Sequence, residues 1–138
     1  MTALSSPYDA RRKDGSLLAS AMAAEARIYK GGLITVATAT GLAQPGTDGA
    51  GLVFAGVAYE SADNTGGAAG ARTVRILKTG VYTYAKTGAS QTNVGKVVFL
   101  VDDNTVSIAA TTNNIACGIV VGVPDGSHVQ IRIDSKVN

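Results

Sequence analysis

Val129-Gln130-Ile131-Arg132-Ile133-Asp134 alternates apolar and polar side chains without a fault. In an extended chain successive side chains point to opposite faces, so Val129, Ile131 and Ile133 share one face and Gln130, Arg132 and Asp134 the other. This period of two predicts a half-buried strand with its apolar side on a core. Working back along the chain, Pro124-Asp125-Gly126-Ser127 supplies turn chemistry, and Cys117 to Val123 reads as the strand paired with the last one. Val97-Val98-Phe99-Leu100-Val101, Asp102-Asp103-Asn104 and Thr105-Val106-Ser107-Ile108 have the order of a hairpin.

Further back, Gly80 to Tyr84, Thr73 to Leu77, Leu52 to Tyr59 and the β-branched run Leu33 to Thr38 read as four more strands. Lys86 to Asn93 reads as a loop, as does Ala39 to Gly51 with its Gln44-Pro45-Gly46 and Asp48-Gly49. Asp63-Asn64-Thr65-Gly66-Gly67-Ala68-Ala69-Gly70 has no large apolar side chain and also reads as a loop. Several short strands at this spacing predict a mainly β fold, a compact antiparallel barrel or sandwich. Composition agrees: 17 glycines, no tryptophan and 46% hydrophobic against 16% charged residues describe an ordered, turn-rich chain. A length of 138 residues suits one core.

The first 29 residues differ in kind. Ser5-Ser6-Pro7 and the charge cluster Asp9 to Asp14 lack a core pattern and predict an extended arm. Ser16 to Ala26 is rich in helix formers, with Asp14 or Ser16 placed to cap a short helix. The expected division is an arm over 1–29, extended or partly helical, and a β domain over 30–138. The net charge of +2 arises in this arm, where residues 1–30 hold five basic and three acidic groups and the remainder holds seven of each. An excess of two gives too weak a field to argue for nucleic acid. No run reaches the ~18 apolar residues of a membrane span, and Ser16 to Ala26 is a poor secretory signal, so synthesis in the cytoplasm is expected.

Lys78-Thr79-Gly80 and Lys86-Thr87-Gly88 match a β-lactamase triplet, but the chain has no Ser-x-x-Lys and no Ser-Asp-Asn to accompany it. Gly95-Lys96 precedes Val97, so the phosphate-loop ending is missing. His128 is the sole histidine; Ser127, His128 and Asp134 make a triad on paper, yet strand neighbours face opposite ways. Asp102-Asp103 reads as a solvated turn, and Cys117, the single cysteine, as a small buried thiol. Tyr82, Tyr84 and Arg75 are conceivable lining for a small ligand at a barrel mouth. None of these patterns assembles a reaction or a cofactor site.

A resemblance goes further than the motifs. Lys30-Gly31-Gly32 opens the domain, Val57-Ala58 precedes Asp63-Asn64-Thr65, and Gly80-Val81-Tyr82 begins a strand. Val94-Gly95-Lys96-Val97-Val98-Phe99 and Gly118-Ile119-Val120-Val121-Gly122 complete the set. Over Lys30 to Asp134 the chain resembles the decoration, or cement, proteins of tailed-phage heads. The resemblance implies a non-enzymatic structural protein on the outer surface of the virion, without cofactor, nucleic acid, membrane or small-molecule substrate. Its implied partners are the major capsid protein and further copies of itself as a homotrimer. Another virion module, a spike, fibre or baseplate component, is the alternative. The arm is longer than expected for such proteins, and residues 1–28 are assigned as a docking element with Tyr8, Asp9, Arg11, Arg12, Lys13 and Arg27 as capsid-contact candidates.

Overall fold

The computed structural model describes residues 3–7 and 13–135. Within them lie twelve strands: β1 (Leu17–Ala21), β2 (Arg27–Ile28), β3 (Leu33–Ala37), β4 (Ala43–Pro45), β5 (Leu52–Ala58), β6 (Ala62–Asp63), β7 (Thr73–Leu77), β8 (Thr79–Ala85), β9 (Val97–Leu100), β10 (Val106–Ser107), β11 (Ala116–Asp125) and β12 (His128–Asp134). They form two five-stranded sheets, ordered β1-β7-β5-β3-β4 and β10-β9-β11-β12-β8, and a two-stranded ribbon of β2 and β6. The two sheets pack as an antiparallel β-sandwich and do not close into a barrel. The first sheet curls: just past β1, Met22 makes a single bridge to Ala43 of β4, and the Ala23 N–H donates to the Ala43 carbonyl at 2.9 Å.

Two apolar clusters follow from that curl. One lies between the sheets and holds Leu33, Val57, Val98, Leu100, Val120, Val129, Ile131 and Ile133. The other fills the concave side of the first sheet with Met22, Ile28, Ile34, Val36, Ala55, Val74 and Ile76. β3 therefore contributes to both clusters, which is why Leu33-Ile34-Thr35-Val36 is buried at every position. Burying each such aliphatic side chain stabilises the fold by about 1.5–3 kcal/mol against leaving it in water. The last strand behaves as its alternation requires, with Val129, Ile131 and Ile133 buried and Gln130, Arg132 and Asp134 exposed.

Three sequence expectations change. The helix allowed over 16–26 is absent: Leu17–Ala21 is β1, paired with β7 from Leu17↔Leu77 to Ala21↔Thr73. Tertiary pairing overrides the helix propensity of Leu and Ala. Asp14 caps nothing helical, since its carboxylate accepts the Ser16 N–H (3.0 Å) and hydroxyl (2.9 Å) in a bend leading into β1. Residues 17–28 also belong to the folded unit through β1 and β2, so an arm over 1–29 or 1–28 overruns two strands. Finally, the loop from Ala39 to Gly51 contains β4, a three-residue edge strand that ends on Pro45.

The glycine-rich segment after β6 is a packed lid over the concave cluster rather than a free loop. Asn64 is buried, and its side-chain amide donates to the carbonyls of Ala23 (2.9 Å) and Ala68 (3.0 Å). Its backbone N–H donates to Ala26 at 2.8 Å, and Gly66 donates to the Glu25 carboxylate at 2.8 Å. Gly67 permits this fit, because a Cβ there would lie 2.1 Å from the Asn64 side-chain oxygen. Residues 22–27, leading into β2, and residues 63–70, leaving β6, thus lock together and anchor the ribbon at its Arg27–Asp63 end.

Candidate docking surface

Two tyrosines lie each beneath an arginine, one at the locked ribbon and one just past the end of β5. Arg27 and Tyr29 are two residues apart on extended chain, so their side chains share a face. The Arg27 guanidinium lies 5.2 Å from the Tyr29 ring centroid and 3.8 Å from the Asp63 carboxylate across the ribbon. Just beyond β5, Tyr59 lies 4.9 Å below the Arg75 guanidinium, which projects from an exposed position of β7. Arg75 also donates through Nε and Nη2 to both oxygens of Glu60, the shortest contact being 2.7 Å. These Arg75 hydrogen bonds hold the Glu60 carboxyl below its usual range. Asp63 is lowered as well, by Thr65 first and by Arg27 to a lesser degree.

The pairs are exposed yet ordered. Tyr29 is 56% and Tyr59 43% accessible, both high for residues of that size. The Tyr59–Arg75 pair borders an open groove of about 560 Å³ whose other walls include Lys30, Leu77 and Tyr82. Planar aromatic and guanidinium groups stacked in advance lose little side-chain freedom on binding, which is the make-up of interface hot spots. The surface suits a protein partner: it offers aromatic area, two cations and two carboxylates.

Of the capsid-contact candidates among the described residues, Arg27 enters this cluster. Lys13 is exposed ahead of β1 and makes none of these contacts. Tyr8, Asp9, Arg11 and Arg12 lie outside the described residues. Sequence reading missed Tyr29, Tyr59 and Glu60, and named Arg75 with Tyr82 only as conceivable lining for a small ligand; both border the groove. The available signal was the Arg27-x-Tyr29 spacing; the partnership of Tyr59 with Arg75 is long-range and leaves no local trace.

The other motifs resolve into structure. Ser127, His128 and Asp125 meet at the β11–β12 turn, with His128 Nδ1 2.9 Å from Asp125 Oδ1 and 3.1 Å from Ser127 Oγ. Serine and carboxylate thus compete for one ring nitrogen, whereas a relay needs them on opposite nitrogens. Asp134, the acid of the paper triad, sits at the far end of β12. The Ser127 backbone N–H, then His128, pulls the Asp125 carboxyl down to about 2.

Both lysines of the Lys-Thr-Gly triplets are buried. Lys78 stands where β7 of one sheet runs into β8 of the other and donates to the Ala55 carbonyl. Burial pushes its pKa down to about 8. Lys86 closes its own loop on the carbonyls of Thr87 (2.9 Å) and Gly88 (3.3 Å). Cys117 is buried, and desolvation raises its thiol to about 12. Among the described residues no group of three or more His, Cys, Asp or Glu side chains is placed to hold a metal ion.

Compared with protein-family models, with curated proteins and with solved structures, the chain matches none of them.

Proposed function

We propose that this chain is a non-enzymatic structural protein of a tailed phage that binds the outside of the assembled head and bridges neighbouring major capsid subunits. The observation that carries the proposal is the two exposed, arginine-stacked tyrosines, Tyr29 at the ribbon locked by Asn64 and Tyr59 just beyond β5. Such anchors supply binding energy per residue that scattered surface contacts do not. The sequence resemblance to head-decoration proteins supplies the partner. A single small domain has modest area to offer, and interfaces under about 1,200 Å² are weak. Joining several copies on a lattice of equivalent sites multiplies affinity by roughly 10²–10⁴. The resemblance implies a homotrimer.

The test is co-sedimentation with undecorated heads of the encoding phage, using the intact protein and a Tyr29→Ala/Tyr59→Ala variant. Saturable binding of the former and loss with the latter supports the proposal. Binding to tails or baseplates instead of heads assigns the chain to another virion module and overturns it.

A further inference from the structure

We propose that β8 is a self-pairing edge, through which two copies of the chain join their second sheets into one continuous ten-stranded sheet. The proposal stands on strand geometry and is independent of what the ribbon binds.

β8 is the outermost strand of its sheet and pairs with β12 from Thr79↔Asp134 to Ala85↔His128 without a register shift; on its other side, among the described residues, only the last residue, Ala85, is bridged, in parallel to Thr105. The direction of its backbone groups can be read at its end. Lys86 N–H donates toward β12, to Ser127, at 2.9 Å, whereas Ala85 N–H points the other way, to Asn104, at 3.2 Å. Backbone groups alternate along a strand, so the N–H and C=O of Thr79, Val81 and Thr83 point away from β12 like those of Ala85. Among the described residues no strand receives them. Only the Thr79 carbonyl is engaged, accepting the Tyr82 hydroxyl at 2.8 Å, and it keeps a second lone pair.

Open edges of this kind are ordinarily protected by lysine, proline, a bulge or short length. The other edges of this fold are protected. β10 is two residues long, β4 is three and ends in Pro45, and the end of β1 bridges toward β4. β8 has seven residues, no charge, no proline and no bulge.

The sequence of the edge identifies the occupant. The residues whose backbone faces outward are Thr79, Val81 and Thr83, and their side chains are exposed on the sheet's outer face. The order Thr-x-Val-x-Thr reads the same in both directions about Val81. An antiparallel second copy related by a two-fold axis at Val81 therefore sets Val81 against Val81, and each Thr79 against Thr83 of the other chain. Every outward N–H then meets an outward C=O, and β-branched residues stand opposite β-branched residues, a favourable cross-strand match. The pairing also joins two exposed rows of Val97, Ile119, Arg132 and Val81, which register across β9, β11, β12 and β8, into one surface. The product is a two-fold dimer, in place of the trimer implied by resemblance.

Sedimentation-equilibrium analysis of the full chain, with cysteine cross-linking, tests this. Wild type is expected to dimerise. Val81→Pro removes an N–H that β12 does not use, so its far-UV spectrum and melting stay native. Its dimer dissociation constant rises at least about thirtyfold through the two lost central bonds and the ring's bulk. Under mild oxidation Val81→Cys forms a homodisulfide, because the axis brings the two side chains together, while Thr79→Cys does not and Thr79→Cys/Thr83→Cys does. A monomer at all accessible concentrations, a trimer unaffected by Val81→Pro, or equal cross-linking of the single Cys variants overturns the proposal.

Discussion

Asn64→Ala removes the side chain that holds the ribbon in place, and its cost can be worked from the contacts. The wild-type amide donates to the carbonyls of Ala23 and Ala68. Ala23 is half-buried, so its carbonyl loses a donor that water replaces poorly, at about 1–2 kcal/mol. Ala68 is exposed and also accepts from Ala71, so its loss is the net worth of one hydrogen bond, about 0.5–1.5 kcal/mol. The sum is about 1.5–3.5 kcal/mol, or a fall of roughly 5–14 °C in Tm for a chain of this size. Urea unfolding followed by circular dichroism measures it. Asn64→Asp sharpens the test, because a carboxylate would face two carbonyls and must stay protonated to donate to either. Its folded pKa is then above the unfolded value of about 4, so the native state binds the proton more tightly. The deficit relative to wild type is therefore smallest below pH 4 and grows as pH rises through the folded pKa. A loss under 0.5 kcal/mol for Asn64→Ala, or an Asn64→Asp deficit independent of pH, refutes the role given to this side chain.

Three further outcomes are expected. Lys78 has its pKa lowered from 10.5 to about 8 by burial. Between those values the unfolded chain binds the proton that the native state has lost, so stability rises with pH from about 8 to 10.5. The gain is on the order of a few kcal/mol; Lys78→Met should flatten that rise in urea titrations at several pH values. Gly56→Ala places a Cβ 2.3 Å from the Leu77 carbonyl oxygen at a φ of +140°, so a loss of about 3 kcal/mol or more is expected by thermal melting. Tyr59→Ala and Arg75→Ala should each weaken head binding about tenfold or more while leaving the melting temperature within a few degrees of wild type, measured by pelleting and calorimetry.

The sequence announced strands where burial is one-sided. Ile131 and Ile133 alternate with polar and charged neighbours, and the period is visible without any partner. β1 was hidden because Leu17-Leu18-Ala19-Ser20-Ala21 has no β-branched residue and takes its conformation from β7. β4 was hidden by Pro45, tolerated there only because the strand is a short edge. Asn64 looked like a loop residue because its burial depends on Ala23, forty-one positions earlier. The candidate docking surface was legible at Arg27, and at Arg75 only as a conceivable ligand-lining residue, since Tyr59 and Arg75 meet across sixteen residues of chain. A self-complementary edge was written plainly in Thr79-Gly80-Val81-Tyr82-Thr83, but only the strand order reveals that it is an edge.

The most direct test of the central claim is to count copies of the intact protein bound to purified, expanded, undecorated heads across a concentration series. Saturation at a fixed ratio to the major capsid protein, with heads that then resist heat, is the expected result. Heads that pellet without the protein at every concentration contradict the account.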